Sequence, residues 1–401
     1  MFTAQVVALV GTGLLTVALG LLAYDLAGAQ AGTVLGTALA IKMVAYVLVA
    51  PVISAVTDRV PRRALLVGAD VVRAAIALLL PFVDQSWQIY VLIFVLQSAS
   101  ATFTPAFQSV IPSVLADEED YTRGLSLSRL AYDLESLLSP VLAAALLSVV
   151  TYNYLFLGTV AGFVISAVLV VTTALPVIAP ADRSVPLVHR IMLGAWVMFA
   201  RPTLRGLLAL NLVVASATGL VLVNTVVYVR ELLGGSNTGV AVALGVYGAG
   251  SMLVALTLPW MLDRIPDRRV MLTGAVLVPI GLAATAALLV TDPGRGVGWV
   301  VLVVIWPALG AGTSLINTPS ARLLRHESEP ANRGAVFTAQ FSLSHACFFV
   351  TYTIAGWVGA AAGQPIAAIL LTGLATLAGL VAARVWPAQP QQIEQVPAER
   401  V

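Results

Sequence analysis

The sequence is poor in charge. Asp, Glu, Lys and Arg make up only 10% of its 401 residues, and Lys42 is the sole lysine. A single cysteine, Cys347, excludes an intramolecular disulfide and any cysteine-rich metal cluster. There is no Gly-x4-Gly-Lys-Ser/Thr phosphate loop, so ATP is not the expected energy source. Neither His-Glu-x-x-His nor Gly-x-Ser-x-Gly occurs, so hydrolytic catalysis has no visible apparatus and the chain is not expected to be an enzyme. Above all, the sequence lacks a polar stretch long enough for a soluble domain.

What it has is apolar length. Hydrophobic residues reach 59% and the mean hydropathy is +0.97, far above an ordinary soluble domain. Runs of about 20 apolar residues, enough to cross roughly 30 Å of hydrocarbon, follow one another from Val6 to Trp386. Charged and Gly/Pro-rich clusters divide them into twelve predicted helices. Six lie at roughly 3–24, 32–56, 64–84, 87–112, 124–149 and 153–175, and six at roughly 203–229, 238–261, 270–290, 297–321, 334–358 and 364–386. Continuous apolar runs exclude the ten-residue alternation of barrel strands. The first run has no basic leader and the second follows at once, which predicts a retained anchor rather than a cleaved signal.

Sixteen of the 21 Lys and Arg residues fall in even-numbered connections, the central loop or the tail, whereas only Arg230 and Arg295 fall in odd-numbered ones. The positive-inside rule then puts the even connections and both termini on the cytoplasmic side of a cytoplasmic (inner) membrane.

The chain also repeats itself. Asp58-Arg59-Val60-Pro61-Arg62-Arg63 follows the second span, and Asp263-Arg264-Ile265-Pro266-Asp267-Arg268-Arg269 follows the eighth. A similar shift relates Trp87 to Trp299, Thr104-Pro105 to Thr318-Pro319 and Arg123-Gly124 to Arg333-Gly334. Four coincidences in order indicate a duplicated six-helix unit. The expected architecture is an all-α membrane fold of two pseudo-symmetric bundles, 1–175 and 203–387, with a cytoplasmic linker at 176–202 and a cytoplasmic tail at 388–401. Such duplication places a solute site near mid-membrane, between bundles that rock against each other.

The Asp-Arg-x-x-Arg-Arg loop, its echo and the six-plus-six layout resemble the major facilitator superfamily across nearly the whole chain. Tyr24-Asp25-Leu26-Ala27-Gly28, Asp70-Val71-Val72-Arg73, Pro105-Ala106-Phe107-Gln108 with Ile111-Pro112, and Tyr228-Val229-Arg230-Glu231 with Leu233-Gly234-Gly235 are similar to its macrolide-efflux-like branch of drug:proton antiporters. The stretches Tyr121 to Pro140 and Gln340 to Trp357 resemble a sub-branch linked to nickel resistance. The resemblance implies proton-coupled export of a small hydrophobic compound, with a nickel or cobalt exporter as the alternative. It implies a small-molecule substrate, protons and the lipid bilayer as partners, a monomer, no cofactor and no nucleic acid. Two departures stand out: Ser54 and Pro259, and Pro61 and Pro266, occupy places where the superfamily loop has glycine.

In that superfamily the loop acts as a latch between rocking states, so the resemblance gives this role to Asp58, Arg59, Arg62, Arg63, Asp263, Arg264, Arg268 and Arg269. Arginine there also sets topology, whereas aspartate carries little topogenic weight, and its reuse in both halves points to a specific partner.

An ionisable group in mid-span costs about 2.5 to 3.5 kcal/mol on insertion scales, so each must be paired, cavity-facing or functional. Asp70 and Arg73, three apart, can pair on one helix face, as can Arg129 and Asp133, four apart. Glu135 points elsewhere and lies about 16 Å deep. His345 lies at the same depth, and the shift of 210 that superposes Arg123 on Arg333 also superposes Glu135 on His345. Lys42 is at a similar level, and the superfamily's arrangement of facing spans brings it near His345. Glu135, His345 and Lys42, with Asp133 and Arg129 alongside, are therefore either a proton-coupling or solute site or a buried network holding the halves in register. For the metal alternative the ligands would be Glu135, His345 and Asp133, although a cationic Lys42 at that level opposes it. No resident metal is expected.

Asp25 is expected at the outer mouth, and His189 and His326 in ordinary loops. The resemblance assigns cavity lining to spans one, four, seven and ten. There the candidates are Gln97, Asn211, Asn224, Trp306 and Asn317, each of which can equally bond a neighbouring helix. The pairs Gly11/Gly13, Gly248/Gly250 and Gly310/Gly312 suit close helix packing.

Overall fold

The computed structural model describes residues 2–49, 60–114, 139, 141–173, 187–262, 264–329 and 333–388, and the elements found among them are all helices. Ten stretches are long and apolar enough to cross a membrane. The first of these, Thr3–Leu48, contains two helices, Phe2–Ala27 and Ala31–Val44. The chain turns between them at Gly28, whose φ of 52° is easy only for glycine. The ten stretches thus correspond to eleven of the twelve expected spans. The fifth span lies outside the described residues apart from 139 and a helical 141–147.

The third and fourth spans are Arg62–Leu79 and Ser86–Val114, and the sixth is Asn153–Thr172. The seventh to twelfth are Pro202–Val227, Asn237–Leu262, Asp267–Thr291, Arg295–His326, Arg333–Thr353 and Gln364–Val385. The tenth span runs to His326, past the expected end near 321. Arg325 and His326 in its last turn complement the negative end of the helix dipole, so the charged segment extends the helix. Pro61 and Pro266 occupy equivalent positions, each extended immediately before the first helical residue of the third and ninth spans.

The two halves repeat the same neighbour relations. Spans one and six, three and four, three and six, and two and four pack in the first half. Spans seven and twelve, nine and ten, nine and twelve, and eight and ten do so in the second. Without water to drive apolar surfaces together, such packing depends on close approach. A methyl on Gly11 would sit 3.1 Å from the Thr159 carbonyl oxygen, and methyls on Gly250 and Gly310 would overlap the Pro307 and Tyr247 carbonyls. Large apolar side chains such as Val71, Phe82, Leu253, Val300 and Leu377 are exposed on the bundle surface, where lipid is the natural solvent.

The expected linker contains a helix, Leu187–Ala200, that packs on the eleventh and seventh spans. Gly194 permits this contact, since a methyl there would overlap the Ala335 carbonyl. The apolar run in this helix is too short to span a bilayer, which is why hydropathy alone reads it as connection.

Candidate functional site

Hydrogen bonds cross between the halves at the end of the bundle away from the arginine-rich connections, here called the far end. Tyr24 of the first span donates to Glu231 after the seventh, and Thr238 of the eighth donates to the Leu147 carbonyl at 3.2 Å. Between the second and eleventh spans, the Trp357 indole donates to Thr37 at 3.0 Å and Thr33 donates to the Gly356 carbonyl at 3.4 Å. The backbones of these two spans nearly touch. A methyl on Gly36 would lie 2.7 Å from the Tyr352 carbonyl oxygen and 2.9 Å from the Gly356 Cα.

Three wide π-helical turns, Ala45–Val49, Tyr228–Leu232 and Ile354–Val358, carry residues of this seam. They hold Tyr46, then Arg230 and Glu231, then Gly356 and Trp357. Such turns leave the regular ladder and re-aim side chains, and they recur at functional positions.

A cavity of about 520 Å³ opens at the far end, lined from one half by Asp25, Tyr152 and Asn153 and from the other by Arg230, Asn237 and Thr238. Burial, with Asp25 as hydrogen-bond partner, pushes the Tyr152 phenol up. Tyr152 therefore stays protonated and donates to Asp25, the residue expected at a mouth.

At mid-depth the structure brings Lys42 and His345 to one ring. The Lys42 ammonium lies 5.9 Å from the Tyr46 centroid, and His345 stacks on the same ring at 5.3 Å with 27° between planes. His345 Nδ1 is 2.7 Å from the Phe341 carbonyl oxygen. A carbonyl only accepts, so Nδ1 carries the hydrogen and the lone pair lies on Nε2. Glu135, Asp133 and Arg129 lie outside the described residues. Among the described residues, no group of three or more His, Cys, Asp and Glu side chains is arranged to hold a metal ion.

Asp70 and Arg73 form a buried ion pair on the third span. Ser166 of the sixth span donates to Asp70 at 2.7 Å, and the Arg73 guanidinium lies 4.3 Å from the Phe103 ring and 4.5 Å from the Phe163 ring. Charge, hydrogen bonds and π-faces together offset burial of this pair.

Asn211, Asn224 and Trp306 of the seventh and tenth spans bond to neighbouring helices in this conformation. Asn211 exchanges amide hydrogen bonds with Gln340 at 3.1 and 3.0 Å, and Asn224 donates to the Ala355 carbonyl at 3.0 Å and to Gln364. The fully buried Trp306 donates to Thr225 at 3.0 Å. Gln97 is buried and Asn317 half-buried.

The sequence model of the Major Facilitator Superfamily matches residues 1–231 and 206–401. The chain belongs to the major facilitator superfamily. Within the superfamily it is similar to Macrolide efflux protein A of Enterococcus faecalis, 29% identical over 136 residues, which is 33% of this chain and 42% of that protein. The same identity and length relate it to Macrolide efflux protein A of Streptococcus pyogenes, over 33% of each chain. The matched stretch thus spans less than half of these relatives. Solved superfamily structures share the fold over its full extent. The nucleoside transporter NupG, 13% identical, has a TM-score of 0.70 over 96% of this chain and 98% of its own. A D-xylose-proton symporter, also 13% identical, has 0.71 over 96% and 97%. This is a multi-pass membrane transporter.

In this superfamily member Arg63, Arg264 and Arg268 of the arginine-rich loops bind inside their own halves. Arg63 donates to the Thr173 carbonyl at the end of the sixth span at 2.6 Å. Arg268 donates to the Trp386 and Ala383 carbonyls at the end of the twelfth, at 3.1 and 3.0 Å. Both side chains thus cap the carbonyl end of a helix, where a cation is favourable. Arg264 folds back over the Trp260 ring at 4.3 Å, and Asp267 lies 3.7 Å from Arg322. Arg269 is exposed. Asp58, Arg59, Asp263 and the side chain of Arg62 lie outside the described residues.

Several residues of this arrangement escape the sequence reading. Tyr46, Gly36 and Gly356 carry no pattern of their own. Tyr24 and Glu231 do carry a signal, since both stand in motifs that resemble the efflux branch and end spans related by pseudo-symmetry.

Proposed function

We propose that the protein exports small, largely hydrophobic compounds in exchange for protons, by alternating access between bundles 1–175 and 203–387. In this reading the linker 176–202, the tail 388–401 and both termini are on the cytoplasmic side of an inner membrane, which the arginine distribution supports. The far end is then the outer face. The observation carrying the reading is the set of cross-half hydrogen bonds at that end among the described residues, with Lys42 and His345 on the Tyr46 ring behind it. In this conformation the pathway is shut to the outside.

The cluster supplies a physical means of coupling. A proton arriving at His345 Nε2 places an imidazolium beside Lys42 across the seam between the second and eleventh spans. Like charges there repel, which biases the halves toward separation. Glu135, the pseudo-symmetric mate of His345, is the second proton site. The macrolide efflux relatives support the outward direction. A divalent metal ion as cargo takes second place, because Lys42 beside His345 repels a cation at the same point.

The experiment is proton release in everted vesicles holding a respiration-generated pH gradient. Ethidium or erythromycin is expected to dissipate the gradient with the wild-type chain, and not with His345→Ala or Glu135→Gln expressed to the same level. A gradient left intact by every compound of a broad drug panel would count decisively against the reading.

A further inference from the structure

Two opposite charges line the far-end cavity without meeting. Asp25 lines it from the first half and Arg230 from the second. Neither takes part in an ion pair with any other residue. Asp25 is exposed and held by Tyr152, whose single hydroxyl leaves most of the carboxylate's acceptor positions open. The Arg230 guanidinium is fixed by two contacts. Its Nη1 donates to the Gly235 carbonyl at 3.3 Å, and its central carbon lies 4.9 Å from the Tyr24 ring centroid. Arg230 is half-buried, and its Nε is buried with no hydrogen-bond partner. A guanidinium partly withdrawn from water and carrying no carboxylate is under-solvated, so an oxyanion in the cavity gains a charge-assisted hydrogen bond there.

The rest of the wall is polar and partly uncommitted. Thr238 donates to the Leu147 carbonyl at 3.2 Å and Ser236 accepts from the Gly239 amide at 3.2 Å. The side-chain amides of Asn153 and Asn237 make no hydrogen bond to the protein. Two further charges stand close by but outside the lining: Glu231 accepts from Tyr24, and the Arg295 guanidinium lies against Gly234. A volume of about 520 Å³ falls in the range of pockets that take small molecules. An apolar solute would strip water from Asp25 and Arg230 and replace none of it, so this wall does not suit the cargo proposed above.

We propose that the far-end cavity binds a small zwitterion, its ammonium on Asp25 and its oxyanion on Arg230. The chemistry recognised is a cation and an anion joined by a few atoms, as in a free amino acid or a zwitterionic lipid headgroup. Asp25 belongs to the first half and Arg230 to the second, so one bound molecule bridges the halves. Arg230 already lies over the Tyr24 ring of the first half, and the ligand adds to that contact. The zwitterion therefore favours the conformation closed at this end and brakes its opening.

The test is a thermal-midpoint titration of the purified full-length chain in dodecyl maltoside with glycine, γ-aminobutyrate and ε-aminocaproate, which carry both charges at increasing separation. Caproate and hexylamine carry one charge each and serve as comparisons. At least one zwitterion is expected to raise the midpoint, and neither comparison compound at the same concentration. Asp25→Asn and Arg230→Gln should each weaken that binding about tenfold, the scale of one lost hydrogen bond to a charged group. Arg230→Gln also loses the contact with Tyr24, so if it fails to fold the exposed Asp25 decides the case. Spin labels at Ala29 and Leu232 in a Cys347→Ser background should report a shorter mean separation with the zwitterion bound. Nanodiscs distinguish the source of the ligand. A midpoint raised by phosphatidylethanolamine over phosphatidylglycerol in the wild type but not in Asp25→Asn, without response to the free compounds, assigns the site to a lipid headgroup. No response to either source, an equal response to caproate or hexylamine, or an Asp25→Asn chain that responds like the wild type overturns the site. Binding that leaves the label separation unchanged overturns the bridging of the halves.

Discussion

Tyr24 donates its hydroxyl proton to the Glu231 carboxylate across the two halves, and Arg230, the residue before Glu231, lies 4.9 Å over the same tyrosine ring. The first span is thus tied to the seventh by a charge-assisted hydrogen bond and a cation–π contact at one point. Arg230 is itself held by a hydrogen bond to the Gly235 carbonyl at 3.3 Å. Tyr24→Phe keeps the ring under Arg230 and removes only the donor. The site is exposed, so the bond contributes about 1 kcal/mol, or roughly fivefold in the ratio of closed to open far ends. In a Cys347→Ser background, a cysteine at Asn237 should react faster with a membrane-impermeant maleimide when Tyr24→Phe is added. Equal rates would mean that this bond does not hold the end shut.

The crossing of the second and eleventh spans leaves no room for a side chain. Gly36→Ala would put a methyl against the Tyr352 carbonyl and the Gly356 Cα, and backbone on both sides cannot yield as a side-chain tip can. The strain falls only on the conformation in which the crossing is closed, so the substitution should shift the population away from it. Spin labels at Ala29 and Ser236 should report a longer mean separation in Gly36→Ala. Gly20→Ala is the control, since its methyl meets only Leu35 at an ordinary 3.6 Å. An unaltered distance distribution in Gly36→Ala would show that the seam relaxes instead of parting.

The Asp70–Arg73 pair should matter to stability more than to transport. Asp70→Asn removes a buried carboxylate from the Arg73 guanidinium, and breaking a buried ion pair on one side typically costs about 3 to 5 kcal/mol. Replacing both residues together, Asp70→Asn with Arg73→Met, removes the buried cation as well and should recover most of the loss. Thermal midpoints in detergent read the two cases, and transport per folded molecule should be near wild type in the double variant. A double variant no more stable than Asp70→Asn would assign the loss to Phe103 and Phe163 packing on the guanidinium.

Much of this fold is legible in the sequence because lipid imposes simple rules. Apolar length dictates where a helix crosses. The duplicated loop, with Pro61 and Pro266 before equivalent helices, announces the repeat that the packing then displays. Depth arithmetic alone brings His345 to the level of Lys42. What sequence cannot supply is the rotation of each span about its own axis. The seventh span is apolar nearly all round, so nothing in its periodicity says that Asn211 and Asn224 turn to Gln340 and Gln364. The Tyr24 bond to Glu231 spans 207 residues, beyond any local pattern. The π-helical turns that aim Tyr46 and Trp357 likewise depend on the facing helix.

The arginine-rich loops yield a prediction that separates two roles within one motif. Arg63 and Arg268 each cap a helix inside their own half and are equivalent under the repeat. Removing either frees carbonyls at the end of the sixth or the twelfth span. Arg63→Ala and Arg268→Ala should therefore lower thermal stability by similar amounts, about 1 kcal/mol each, with little change in transport per folded molecule. Asp58 differs, because an aspartate carries little topogenic weight. If it is the latch, Asp58→Asn inserts and folds normally but slows transport. Side-by-side measurement of thermal midpoint and initial transport rate separates the roles, since a cap moves the first quantity and a latch the second. Normal transport by a normally expressed Asp58→Asn would remove the latch, and the same result for both arginine variants would leave the loops as topology signals with two helix caps.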